Sequence, residues 1–142
     1  MNKTVKYESI NFLKKEGDPI IIVAAVNEAE AIIKSCEEHK IKISGMCDSE
    51  KRKSENLFSG IKVFHTPSLP EHFPKARFII ASQHIQECAE QLIGLGYNEF
   101  YCVGHDRGAR VFHRVALDFP NRVKKLILID IVPTPHIYNN LN

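Results

Sequence analysis

Tryptophan is absent from this 142-residue chain, and no two of its cysteines stand in a C-x-x-C pair. Without that pair, a zinc ribbon or a thioredoxin-like redox motif is excluded, and no metal is expected. The four cysteines, Cys36, Cys47, Cys88 and Cys102, are scattered. They read as free, buried thiols of a reducing compartment. No apolar run approaches the length of a membrane span, and no secretory signal opens the chain. A cytoplasmic location and no membrane partner are the expectation. An excess of one charge is missing too: 19 Lys and Arg face 17 Asp and Glu, for a net charge of +2. So small a balance argues against a nucleic-acid partner. There is no linker, repeat or low-complexity stretch, and the length fits one domain.

What the sequence does have is alternation. "IIIVAA", Ile20 to Ala25, is a continuous apolar run, as in a strand covered on both faces. Asn27 to His39 carries Ala29, Ile32, Ile33 and Cys36 at helical spacing, with Asn27 as cap and Glu30 completing a capping box. "IKISGMC", "GIKVFH", "ARFIIAS", "EFYCV" and "VKKLILID" read as five further strands. Between them lie a polar segment from Asp48 to Asn56 and a proline-punctuated connection, "TPSLPEHFP". Two further helices fall at His84 to Leu95 and Arg107 to Asp118. Val5 to Lys15 reads as a short opening helix. Strand–helix alternation implies right-handed βαβ units. The expected fold is α/β: a three-layer, doubly wound, mostly parallel sheet of about six strands, in the order 3-2-1-4-5-6, with helices on both faces.

The first strand-to-helix turn of such a sheet commonly holds a ligand. Here it reads "VAAVNEAEA". "DPIIIV", "ISGMCD", "GIKVF" and "FIIAS" resemble a Rossmann-like domain of nucleotide-sugar-associated bacterial proteins, over roughly residues 18–101. The glycines of a G-x-G-x-x-G turn are replaced by Ala24, Val26 and Ala29. Val26 blocks the close approach of a pyrophosphate, and Glu28 repels it. Asp48 stands at the ribose position, where a strand-end Asp also serves as a simple turn former. No cofactor is expected.

A second site is more specific. "GHDRGAR", Gly104 to Arg110, has the small-x-nucleophile-x-small form of a nucleophile elbow, with Asp106 in the nucleophile position. Glycines at 104 and 108 permit the sharp turn. The backbone N–H of Arg107 would open a helix, where an oxyanion is stabilised. From Leu95 to Tyr138 the chain closely resembles haloacetate dehalogenases of the α/β-hydrolase fold, the fluoroacetate type. That resemblance implies that Asp106 attacks the halogen-bearing carbon and forms an ester. It implies that Arg107 and Arg110 hold the substrate carboxylate and that Asp130, in "LIDIVPT", orients a histidine. It places the general-base histidine on a late loop beyond residue 142, and adds an early HG-x-P loop and a helical cap that this sequence does not show. Among local histidines, His84 is the candidate base. If strands four and five are neighbours, Ser82, Gln83 and His84 flank Asp106.

Each of these residues also has a structural role open to it. Asp106 can cap a helix, Asp130 can form a turn, and Arg107 and Arg110 can be solvated charges. The two resemblances suggest a chimera, engineered from residues 1–95 of one fold and 96–142 of another in a single domain, joined between His84 and Cys102. On that reading the chain is a de novo scaffold without efficient activity. The alternatives are a weak hydrolase or dehalogenase using Asp106, and a binder of a small carboxylate or phosphate at Arg107 and Arg110. An exposed sheet edge would offer a route to a homodimer.

Overall fold

Ile20, Ile21, Ile22 and Val23 form strand β1, and all four are buried. Successive side chains in a strand point to opposite faces. Ile20 and Ile22 join one apolar cluster, while Ile21 and Val23 join another. The computed structural model describes residues 13–15, 17–82, 84–105, 117 and 120–129.

Six further strands follow: β2 (Gly45–Asp48), β3 (Leu57–Phe58), β4 (Ile61–His65), β5 (Arg77–Ile80), β6 (Phe100–His105) and β7 (Val123–Ile129). Three helices lie among them: α1 (Glu28–Glu38), α2 (Leu69–His72) and α3 (Ile85–Gly94). The sheet order is β3-β4-β2-β1-β5-β6-β7, and every pairing is parallel except β3 with β4. Without β3, this is the doubly wound order expected from the sequence. The chain steps outward from β1 to β2 and β4, then returns to β5 on the other side of β1. The expected strand neighbours are therefore found: Ile80 of β5 pairs with Cys102 of β6.

Helix α1 packs Ala29, Ile32, Ile33 and Cys36 against Ile20, Ile22, Met46, Val63 and Ile79 on one face. Helix α3 packs Ile85, Cys88, Ala89 and Leu92, with Leu69 of α2, against Ile21, Val23, Phe78, Ile80 and Phe100 on the other. Burying each such side chain contributes roughly 1.5–3 kcal/mol. The central strands thus read as unbroken apolar runs because neither of their faces meets water.

Two local readings are corrected. Strand β3 was not foreseen. It is a two-residue edge hairpin, closed by Ser59 (φ 47°) and Gly60 (φ 78°). Two positive φ values in a two-residue loop match the twist of a hairpin, and the Ser-Gly pair was the available signal. The capping box does not form: Asn27 lies in helical conformation (φ −56°, ψ −32°) and its side chain makes no capping hydrogen bond. A true N-cap has extended dihedrals that aim its side chain back at the first turn. The polar segment after Asp48 holds a 3-10 turn, Lys51–Glu55. Beyond the end of α3, Gly96 (φ 92°) closes the helix: its N–H donates to the Ile93 carbonyl (3.0 Å), while the Tyr97 N–H donates to Leu92 (2.9 Å). That double bond is a Schellman closure, and glycine is its usual residue. The opening helix expected up to Lys15 and the helix expected from Arg107 fall mostly outside the described residues. No described helix is long and apolar enough to cross a membrane.

Candidate active site

Strands β1, β2, β4, β5 and β6 run parallel, so their carboxyl ends share one edge of the sheet. The return of the chain between β1 and β5 opens a crevice there. A cavity of about 140 Å³ occupies it, lined by Asp48, Lys53, Thr66, Ser82, His84 and Glu87, with Cys47 and Cys88 behind.

Asp48 organises the β1 side. Its Oδ2 accepts from the Ala25 N–H at 2.9 Å and from Lys53 Nζ at 3.1 Å, and its Oδ1 accepts from the Glu50 N–H at 2.9 Å. It is only 7% exposed. A buried carboxylate needs such partners, and here they satisfy both of its oxygens. Ala24 takes φ 79°, and its N–H donates to the Cys47 carbonyl at 2.8 Å. The turn therefore has a glycine-like bend without a glycine. The Ala25 N–H, which opens the turn towards α1, is already taken by Asp48. The Asp48 carboxylate thus ties the β1–α1 turn to the end of β2. Lys53 was missed in the sequence. It lies five residues past Asp48 on a polar 3-10 turn, where no periodicity marks it.

On the β5 side, buried Ser82 accepts from the His84 N–H through Oγ at 3.0 Å. This bond fixes the entry to α3 and leaves His84 exposed at the cavity mouth. Strand β6 lies next to β5, about 4.8 Å away. Its last residue is His105, and Asp106 is next in sequence. Strand β7 ends at Ile129, and Asp130 is next. Asp106, Arg107, Arg110 and Asp130 themselves lie outside the described residues.

The cavity thiols are poor nucleophiles. Burial pushes the Cys47 thiol up to about 12 and raises that of Cys88, with opposing hydrogen bonds from Thr66 and Ser82 respectively. A nucleophilic cysteine needs its pKa lowered. Among the described residues no three His, Cys, Asp or Glu side chains could hold a metal ion.

Comparison with known proteins bears on the β6 side. The profile of the α/β-hydrolase fold matches residues 43–142. Over 40 residues the chain is 55% identical to a fluoroacetate dehalogenase of Burkholderia sp; this covers 28% of the chain and 13% of that enzyme. The chain thus spans a small part of the length of this relative. Among solved structures it is similar to RSP, a Rex-family repressor (TM-score 0.50, 16% identity, 90% of this chain and 58% of that one). A second structure is RSP in complex with β-NAD+ and operator DNA (TM-score 0.49, 15% identity, 86% and 54%). At such identities the likeness is one of fold alone.

Two expectations are corrected by these findings. A de novo origin is overturned by the 55% identity to a natural dehalogenase, and the hydrolase match begins at residue 43, ahead of the expected junction. The exclusion of nucleic acid is withdrawn as well: the fold is shared with RSP, a Rex-family repressor, so neither fold nor net charge excludes such a partner. Net charge is a sum over the whole chain and does not report where the charges sit.

Proposed function

The chain belongs to the α/β-hydrolase-fold family, and from that premise we propose that it carries the nucleophilic centre of a haloacetate-type dehalogenase. The observation that carries this reading is the 55% identity over 40 residues to a fluoroacetate dehalogenase. Supporting it, Asp106 directly follows β6 in the elbow "GHDRGAR", and β6 pairs with β5 in the crevice half that Asp48 leaves open.

In this reading an Asp106 carboxylate oxygen attacks the carbon that bears the halogen. A C–O bond forms, the carbon–halogen bond breaks, and halide leaves with the electron pair. Arg107 and Arg110 hold the substrate carboxylate, a task that suits the planar guanidinium fork. Water then adds to the ester carbonyl of Asp106, a base takes its proton, and a 2-hydroxy acid is released. His84, exposed beside the β5 end, is the local candidate for that base, and Asp130 is the acid that orients it.

The test is fluoride release from fluoroacetate, together with intact mass and peptide mapping of the treated protein. Release, or a stable ester located on Asp106, is the expected outcome. Neither adduct nor fluoride from folded protein, or release that persists in Asp106→Asn, would overturn the proposal. Ester without turnover would locate the defect in the water step and set His84 aside.

A further inference from the structure

The opposite edge of the sheet holds a larger hollow. A groove of about 810 Å³ lies where β1, β2 and β5 begin, with Lys14, Lys15, Lys40, Lys42 and Arg77 along it and, among the described residues, Asp18 as its one carboxylate. Leu13, Ile20 and Ile41 form its floor. Among the described residues, five cations line this groove against one anion. Among the described residues none of the four lysines, nor Arg77, makes an ion pair.

Arg77 is built in. Its Nε donates to the Asp18 carbonyl at 2.8 Å, and its Nη1 donates to the carbonyls of Leu13 (3.3 Å) and Lys15 (3.2 Å). These bonds fix the guanidinium without neutralising it. Leu13, Lys15 and Asp18 are thereby tied to the start of β5, and Lys14 and Lys15 line the groove.

Lys40 adds an independent observation. Helix α1 closes by the same double bond as α3: Lys40 N–H to Glu37 at 3.0 Å, and Ile41 N–H to Cys36 at 2.8 Å. The residue in the left-handed position (φ 57°) is Lys40 itself, where α3 uses a glycine. A lysine is held in a conformation that favours glycine, and this residue lines the groove. Strain of this kind is kept where a side chain is wanted.

The geometry points to a binding site for a small, multiply charged phosphate compound in this groove. The volume lies within the usual range of small-ligand pockets, roughly 300–1,000 Å³. Spaced cations that pair with no described carboxylate suit several phosphate charges better than a single carboxylate. The site is separate from the hydrolase edge and does not depend on it.

Calorimetric titration with inorganic tripolyphosphate at low salt is the test. One-to-one saturable binding is expected, weakening as salt rises. Replacing Lys40 by Gly together with Lys42 by Gln should weaken it roughly tenfold, equivalent to one decade in Kd. Lys62→Gln, an exposed lysine on β4, should change it by less than about twofold. Lys40→Gly alone should raise the melting temperature while weakening binding, which separates loss of the site from loss of the fold. No saturation below about 1 mM overturns the inference. So does an equal loss in Lys62→Gln, or tighter binding of a duplex oligonucleotide through the same lysines.

Discussion

At the carboxyl edge of the sheet, Asp48 is 7% exposed, and both of its oxygens are occupied by Ala25, Glu50 and Lys53. At the amino edge, Arg77 is equally well held, but by carbonyls of its own chain, and it keeps its full charge. The first arrangement cancels a charge and closes a turn. The second collects charges and leaves them open. A parallel sheet separates its two ends, so one small domain can present two unlike surfaces. Ion pairing, more than the count of charged residues, decides which of them remains available to a ligand.

The sharpest way to break this comparison is to set two aspartates against each other. On the proposed dehalogenase reading, Asp106→Asn is expected to lower fluoride release by about a thousandfold or more, since the covalent step would be lost. Asp48→Asn, at the occupied end of the same edge, should leave the rate of folded protein within about threefold. A comparable collapse in both variants would show that Asp48 is not merely structural.

The thiols sharpen the contrast by pH. Burial holds Cys36 at about 11 and Cys47 and Cys102 at about 12, against an ordinary value of 9.0. These pKa values are raised on folding, so below pH 9 both folded and unfolded thiols keep their protons and the contribution to stability is complete. As pH rises from 9 to 12 the unfolded chain ionises first, and stability is lost across that window. Denaturation midpoints measured from pH 8 to 11 should fall progressively above pH 9. A Cys47→Ser, Cys102→Ser double variant should show a shallower fall. Native protein at pH 8 should react with a thiol reagent far more slowly than unfolded protein.

A smaller effect is expected when the Asp48 cluster is cut. Asp48→Ala leaves the Ala25 and Glu50 N–H groups and the Lys53 ammonium without their acceptor, and should destabilise the fold by about 1–3 kcal/mol in urea unfolding. Lys53→Met removes only the charged partner, which is partly exposed, and should cost about 1 kcal/mol or less.

Much of the fold was legible because it depends on apolar pattern. "IIIVAA" and "ARFIIAS" are runs that only a doubly covered strand accommodates, and α1 and α3 repeat their apolar residues every three or four positions. The sheet order follows from the handedness of βαβ units. The elbow is a motif of the sequence, glycine and acid at fixed spacing, and from Asp106 onward it lies outside the described residues. The cap at Asn27 failed because residue type permits a capping hydrogen bond without dictating the dihedral that makes it. The lysine groove left no local trace. Lys14 and Lys15 lie some twenty-five residues before Lys40 and Lys42. They line one groove because β1, β2 and β5 begin side by side and Arg77 ties Leu13, Lys15 and Asp18 down. Sequence spacing records neighbours along an element, and this site is made of neighbours across elements.

The finest comparison is between the ends of two helices. Both α1 and α3 finish with the same pair of hydrogen bonds, yet α3 places Gly96 at the left-handed position and α1 places Lys40 there. For a residue with a Cβ that conformation costs about 1–2 kcal/mol, and glycine escapes the cost while losing more entropy on folding. Lys40→Gly should therefore stabilise the domain by about 0.5–1 kcal/mol, a modest rise in melting temperature. Gly96→Lys should do the reverse by a similar amount, since open space around a Cβ at Gly96 leaves only the dihedral to resist it. If Lys40→Gly instead destabilised the fold, the lysine would be held by folded-state contacts that outweigh its strained dihedral, and a binding role would no longer be needed to explain it. A gain in stability would mean that position 40 keeps its lysine for something other than folding.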